Sequence, residues 1–361
     1  MSHSSIFPEN CKFAVLAAQN VRTDIRSELT IRPGTIAVKK LPFPLENHWR
    51  LWLGAMQASN LENCNLFLVS IRASGWRDGQ LAVFGGDLDS ELMDHIGGIF
   101  AFLRIVGPIE YTDAFLVAGH VEDGRLDLRH FARTERFNIS CGSLPWVVRD
   151  PDLQEAAQLS EAYRSLLKRL PGQRWRFARG CHALKTAMEQ HYASDRLHGF
   201  VRALEGLIIP DTGKTKKQFI SRCALFAGPA ALQAKVREIL QEAYKMRCDV
   251  EHVHDWDRSL ANYPPDEREH IAYWRTRQME ELACAIYRRI ISDPVLQANF
   301  HDDSKLRSFW QRPDADLRAV FGDVCDITRS LLFKKYDSYG RAHPSEWPKG
   351  VFEALALVKS A

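Results

Sequence analysis

A chain of 361 residues with 45% hydrophobic and 26% charged residues has material for two globular domains and no bias toward disorder. Its formal net charge of +3 excludes a polycation that binds nucleic acid through bulk charge, so such binding would need a local patch or a shaped groove. Eight cysteines, at 11, 64, 141, 181, 223, 248, 284 and 325, lie scattered without a C-x-x-C pair, which argues against a structural zinc site and a disulfide framework. Reduced thiols in the cytoplasm are the expectation, with no cofactor and no resident metal. Residues 1–8 lack a basic region followed by an apolar core, so no secretory leader is expected. The longest apolar stretch, residues 96–107, is too short for a bilayer and contains Arg104, so no membrane partner is expected either.

From the start, short runs rich in β-branched and aromatic residues predict strands over 12–18, 35–41, 49–53, 66–71 and 81–84. The clearest pairing signal is a hairpin. Residues 115–121 and 125–131 flank Asp123 and Gly124, which supply the positive φ angles of a tight turn. One helix interrupts the strands, with Asp87 or Asp89 near its start and Leu92, Ile96, Ile99 and Leu103 on its apolar face. Residues 1–150 therefore read as an α+β domain, of unknown role, that senses or binds something, RNA among the candidates.

Pro145 and Pro151 mark a change of character, after which residues 151–361 read as helical. Helices are expected at 152–169, 174–192, 195–208, 214–227, 230–252 and 267–292. In the fifth, Leu232, Val236, Ile239, Leu240, Ala243, Met246 and Val250 form one apolar stripe; in the sixth, Ile271, Trp274, Leu282, Ile286 and Ile290 do so. Pro264 and Pro265 separate these two, which favours an antiparallel pair. A helical tail follows, at 306–310 and 317–332.

Arg247 and His252 stand at the end of the fifth helix, past its regular stripe. An arginine and a histidine held together suit phosphodiester chemistry: the guanidinium stabilises growing phosphate charge and the imidazole moves protons near neutral pH. RNA brings its own nucleophile in the 2′-hydroxyl. Five residues turn an ideal helix by about 500°, leaving the two side chains about 140° apart. A site then needs a frayed helix end or a second copy of the chain. His254, seven residues from Arg247, returns to the same face and rivals His252. By spacing alone, Arg-x4-His is a frequent chance pattern on polar helix ends.

Other patterns carry less. Gly213 and Lys214 resemble the close of a phosphate-binding loop, but Ile208 and Ile209 occupy the positions where its first glycine belongs. Cys248, His252 and His254, or His301, Asp302 and Asp303, lack the second ligand cluster of a metal site. Lys214, Lys216 and Lys217, with Arg174, Arg176 and Arg179, form either an RNA-facing patch or a solvated face. Trp256, beside the motif, is placed to stack a base, while the other tryptophans read as core.

Three segments in order carry a family resemblance. They are residues 202–210, with Ala203, Leu204, Glu205 and Leu207; residues 214–225, with Arg222; and residues 244–252, ending in Arg247 through His252. Residues of about 174–292 resemble the HEPN superfamily, in particular its ApeA-like branch. The resemblance implies an all-α bundle and a metal-independent endoribonuclease of toxin–antitoxin or anti-phage defence type. It further implies a homodimer whose two motifs face each other, with an antitoxin or regulatory partner possible. Arg247 would hold the phosphate and His252 would be the acid/base, with His254, Glu205 and Arg222 in support. Glu205 either orients Arg247 or a histidine, or simply caps or faces solvent; Arg222 either meets RNA phosphate or makes a structural ion pair. Two positions depart from the family pattern: Cys248 follows the arginine in place of the usual Asn, Asp or His, and Val253 follows His252 in place of glycine. A non-catalytic dimerisation or ligand-binding module is the alternative, since such members exist.

Overall fold

The run Cys11–Gln19 (β1) is buried along almost its whole length, and the N-terminal unit is built around it. The computed structural model describes residues 6–73, 88–109, 111–133, 147–169, 175–190, 192–300, 302–322 and 325–329. They divide into two compact units, residues 1–161 and 162–361. No helix among the described residues is long and apolar enough to cross a membrane.

In the first unit β1 is joined by Glu28–Arg32 (β3), Thr35–Val38 (β4), Cys64–Ala73 (β5), Ala114–Glu122 (β6) and Arg125–Arg133 (β7). They form one six-stranded antiparallel sheet of order β3-β4-β5-β1-β6-β7. Thr23–Asp24 (β2) and Val148–Arg149 (β8) make a separate parallel pairing. A strand covered on both faces needs apolar residues at successive positions, and β1 has them. Phe13, Val15 and Ala17 enter a core completed by Leu53, Ala58 and Leu61 from two short helices, Asn47–Leu53 (α1) and Ala55–Glu62 (α2). Packed against the sheet is Leu88–Val106 (α3), whose Leu92, Ile96, Ile99 and Leu103 are all buried as expected. Lys12, on the strand, reaches Asp89 of α3 at 3.2 Å, so Asp89 serves a buried ion pair.

The expected hairpin forms: Asp123 and Gly124 have φ of 50° and 69°, and Glu122 pairs with Arg125. The strand expected over 49–53 is instead α1. Its Trp and Leu residues suggested a β run, but Gly54, with φ of 81°, ends a single helical turn pair before α2 begins. The strand expected over 35–41 stops at Val38, and that over 81–84 lies outside the described residues.

The division between units falls inside Asp150–Arg169 (α4). The second unit is helical: Trp175–Glu189 (α5), Ala193–Ile208 (α6), Thr215–Cys223 (α7), Gln233–Glu251 (α8) and Arg268–Ser292 (α9). Three short helices close it, Pro294–Asn299 (α10), Asp303–Phe309 (α11) and Asp314–Phe321 (α12). Helix α6 touches α5, α7, α8 and α9, which places it at the centre of the bundle. Small residues let α5 and α6 approach closely. A Cβ on Gly206 would sit 3.0 Å from the Cα of Gly180, and one on Gly199 would sit 2.6 Å from the Cβ of Ala187. Advancing along α5 thus means receding along α6, so the two run antiparallel. The Tyr287 hydroxyl of α9 enters this crossing and donates to the Ala203 carbonyl at 2.9 Å.

The α8 stripe is buried from Val236 to Met246, while Leu232 and Val250 at its ends are half-buried. Helix α9 departs from the amphipathic expectation. Arg275 through Glu280 are all buried, so this stretch is enclosed on every side. Its polar groups find partners: Arg275 donates to Glu242 of α8 at 2.8 Å, and Gln278 to the Ile327 carbonyl at 2.9 Å. Arg277 and Arg196 both bond Glu280, at 2.5 and 2.9 Å. Helix α7 ends at Cys223, short of the expected 227, and the freed carbonyls accept from the Gln233 and Arg318 side chains. In the tail, α12 ends at Phe321 on Gly322 (φ 66°), whereas a helix to 332 was expected.

Candidate functional site

Two polar faces meet where α6 packs on α8. On α6, His198, Arg202 and Glu205 recur at i, i+4 and i+7, one face of a helix. On α8, Tyr244, Arg247 and Glu251 recur at i, i+3 and i+7, again one face. Between them Arg247 Nη2 lies 3.3 Å from Glu205 Oε2, while its Nη1 bonds Glu251, four residues on. The Arg247 and Glu205 side chains are only 13% and 14% exposed, so this is a largely desolvated pair; Glu251, at 45%, is open to water. Arg176 of α5 donates to the Glu205 backbone carbonyl at 3.3 Å. The Arg247 guanidinium also lies 5.8 Å from the Tyr244 ring centre.

Burial sets the proton affinities here. It pushes the Glu205 carboxyl above its ordinary range, against the pull of Arg247. For Arg247, burial works to lower the value, but Glu205 and Glu251 outweigh it and hold the guanidinium charged. Burial, then the Glu205 charge, push the Tyr244 hydroxyl up to about 12. His198 moves the other way: burial first, and then Arg247, hold its imidazole below the ordinary 6.5.

The chain leaves α8 through a tight turn. His252 caps the helix, its N–H bonded to the carbonyls of Cys248 and Asp249, and the His254 N–H returns to Asp249 at 2.8 Å. Both histidines are exposed, with ring centres 6.2 Å apart. Val253 between them is 94% exposed and takes φ of 58°, a left-handed conformation that β-branched side chains disfavour. Glycine, expected there from the resemblance, would relieve this strain. Val253→Gly is expected to raise stability by about 1 kcal/mol, net of the entropy glycine adds to the unfolded chain. A urea midpoint at or below that of the parent protein would contradict this.

Of the residues singled out from sequence, the fold brings together Arg247 and Glu205, and Glu205 bonds the arginine directly. Arg222 is engaged elsewhere. It caps the C-terminal end of α6 by donating to the carbonyls of Ile208 and Ile209, the latter at 3.1 Å, and lies 5.5 Å from the Trp310 ring centre. That is the structural role. Lys214, Lys216 and Lys217 are exposed around the start of α7, and Trp256 is half-buried in a 3-10 turn. The loop at Gly213 is a closed turn in which Asp211 and Gln218 bond each other through side chain and backbone, at 2.8 and 2.6 Å. Among the described residues no three His, Cys, Asp or Glu side chains are arranged to hold a metal ion.

The sequence motifs did not single out His198, Tyr244 or Glu251, and they placed Arg176 in a basic patch, where it instead bonds the Glu205 carbonyl. The helical spacing, i, i+4, i+7 on α6 and i, i+3, i+7 on α8, was the available signal, although nothing in it told which polar faces would meet. Comparisons with protein-family models, curated proteins and solved structures return no match for this chain.

Proposed function

We propose that the helical unit is a HEPN-like, metal-independent endoribonuclease, of the kind that serves as a toxin or anti-phage effector. The observation that carries this reading is the guanidinium of Arg247, held at the end of α8 between one largely desolvated and one exposed carboxylate. Glu205 fixes its direction. Glu251 is open to water and pairs four residues along the same helix, a kind of pair worth only about 0.3–0.5 kcal/mol, so an RNA phosphate exchanges with that carboxylate at little cost. The 2′-hydroxyl attacks the adjacent phosphorus, Arg247 stabilises the charge on the non-bridging oxygens, and His252 acts as acid/base. The products are a 2′,3′-cyclic phosphate end and a free 5′-hydroxyl. Because His252 caps the helix on the solvent side, the reading assigns it to a site shared with a second copy of the chain.

A non-catalytic module is the second reading, favoured by one observation: both terminal nitrogens of Arg247 already bond carboxylates within the chain. Incubating the purified protein with RNA in excess chelator separates the two. Cleavage is expected, and is expected to fall at least about 100-fold in His252→Ala. Arg247→Lys, which keeps a charge opposite Glu205, is expected to lose cleavage while melting near the parent temperature. Intact RNA with the parent protein would sink the nuclease reading. Loss in His254→Ala with retention in His252→Ala would move the acid/base role to His254.

A further inference from the structure

Within a single chain, the face of α6 that bonds Arg247 through Glu205 carries an imidazole of its own. It is His198. This residue stands two turns before Glu205 on the same face of α6, the face that α8 covers. The charged groups acting on it are Arg247 and Glu251 from α8, with Arg202 and Asp195 on its own helix. The residue is half-buried, and its Nδ1 is enclosed with no hydrogen-bond partner among the described residues. Buried polar atoms normally have partners, so a ring nitrogen left without one inside this polar face calls for an explanation.

We propose that His198 is the general base of the site, working on an RNA phosphodiester whose phosphate is held by Arg247 of the same chain. The inference rests on the nuclease reading above and deepens it. The neutral imidazole takes the 2′-hydroxyl proton as the O2′–P bond forms. The P–O5′ bond breaks, and the 5′-oxygen leaves with a proton from a second imidazole, that of His252. One proton is taken and one is given, with no metal, oxidant or further reactant. The low proton affinity that burial and Arg247 impose keeps His198 neutral at pH 7, the form a base requires. Arg202 and Arg247 oppose its protonation, whereas Asp195 and Glu251 favour it, so the balance is set by burial and the two arginines.

The test measures cleavage of a defined RNA oligonucleotide in chelator, between pH 5 and 8, for the full-length chain and for His198→Gln, His198→Ala and His252→Ala. In the parent protein the acidic limb of kcat/KM is expected to have its midpoint below 6.5. His198→Gln is expected to lose about 100- to 10,000-fold in rate, to lose that limb, and to keep its melting temperature and RNA affinity. Three results overturn the proposal while leaving the nuclease reading intact. They are cleavage by His198→Gln within about tenfold of the parent, loss only in His252→Ala, and a parental limb at or above 6.5. Should the His198 variants fail to fold, the limb of the parent protein decides the matter. RNA left whole by the parent protein overturns both readings together.

Discussion

Arg247→Ala is expected to destabilise the helical unit by about 3–5 kcal/mol, because it leaves the buried Glu205 carboxylate without its counter-charge. The two side chains are 13% and 14% exposed, so water can compensate only in part. The loss should lower the urea midpoint of the helical unit, followed by hydrogen exchange in α6 and α8. Removing both charges is a different matter. A variant with Arg247→Met and Glu205→Leu should recover most of the loss, since two apolar side chains of similar volume avoid the desolvation penalty. The single-variant loss should also shrink in acid. Burial already raises the Glu205 carboxyl above its ordinary 4.5, and removing Arg247 raises it further. A group with a raised folded value contributes most to stability below the unfolded value and less as pH rises. Arg247→Ala should therefore cost less at pH 4 than at pH 7. An equal loss at both values would show that packing rather than charge is responsible.

Glu280→Leu should cost about as much, 3–5 kcal/mol, for a related reason. This one carboxylate bonds two buried guanidiniums, Arg196 of α6 and Arg277 of α9, and so ties the central helix to its most enclosed neighbour. Burial acts to lower the proton affinity of Arg277, and Glu280 with Tyr273 more than reverses it. Without the carboxylate both arginines keep their charge and lose a bonding partner in a desolvated place. Glu280→Gln retains the shape and one acceptor, so its cost should be smaller than that of Glu280→Leu. Urea unfolding of the three proteins checks the order. A Glu280→Leu variant as stable as its parent would mean that the cluster contributes nothing to the bundle.

These buried networks mark the limit of what the sequence reveals. The β6–β7 turn was legible because Asp123 and Gly124 have few conformations to choose from. The α8 stripe was legible because its apolar residues repeat at helical spacing, and the α3 face likewise. Residues 49–53 misled because a run of Trp and Leu suits a buried strand as well as a helical turn. The interior of α9 was hidden. Arg275, Arg277 and Glu280 are of types that usually face solvent, and their burial depends on Glu242 and Arg196, 33 and 84 positions away from their partners. The candidate site divides the same way. Arg247 could be singled out from its neighbours in sequence, but its bond to Glu205 spans 42 positions, and His198 belongs to the site only because α6 lies against α8. Arg222 read as either a phosphate contact or a structural ion pair, and it bonds the carbonyls at the end of α6 instead.

The central claim is that RNA is cut by its own 2′-hydroxyl without a metal ion. Its most direct test is a single end-labelled oligonucleotide, incubated with the protein in excess chelator, beside the same sequence with every 2′-hydroxyl methylated. The first is expected to be cleaved to fragments ending in 2′,3′-cyclic phosphate and the second to stay whole. Equal cleavage of both, or cleavage that chelator abolishes, would contradict it.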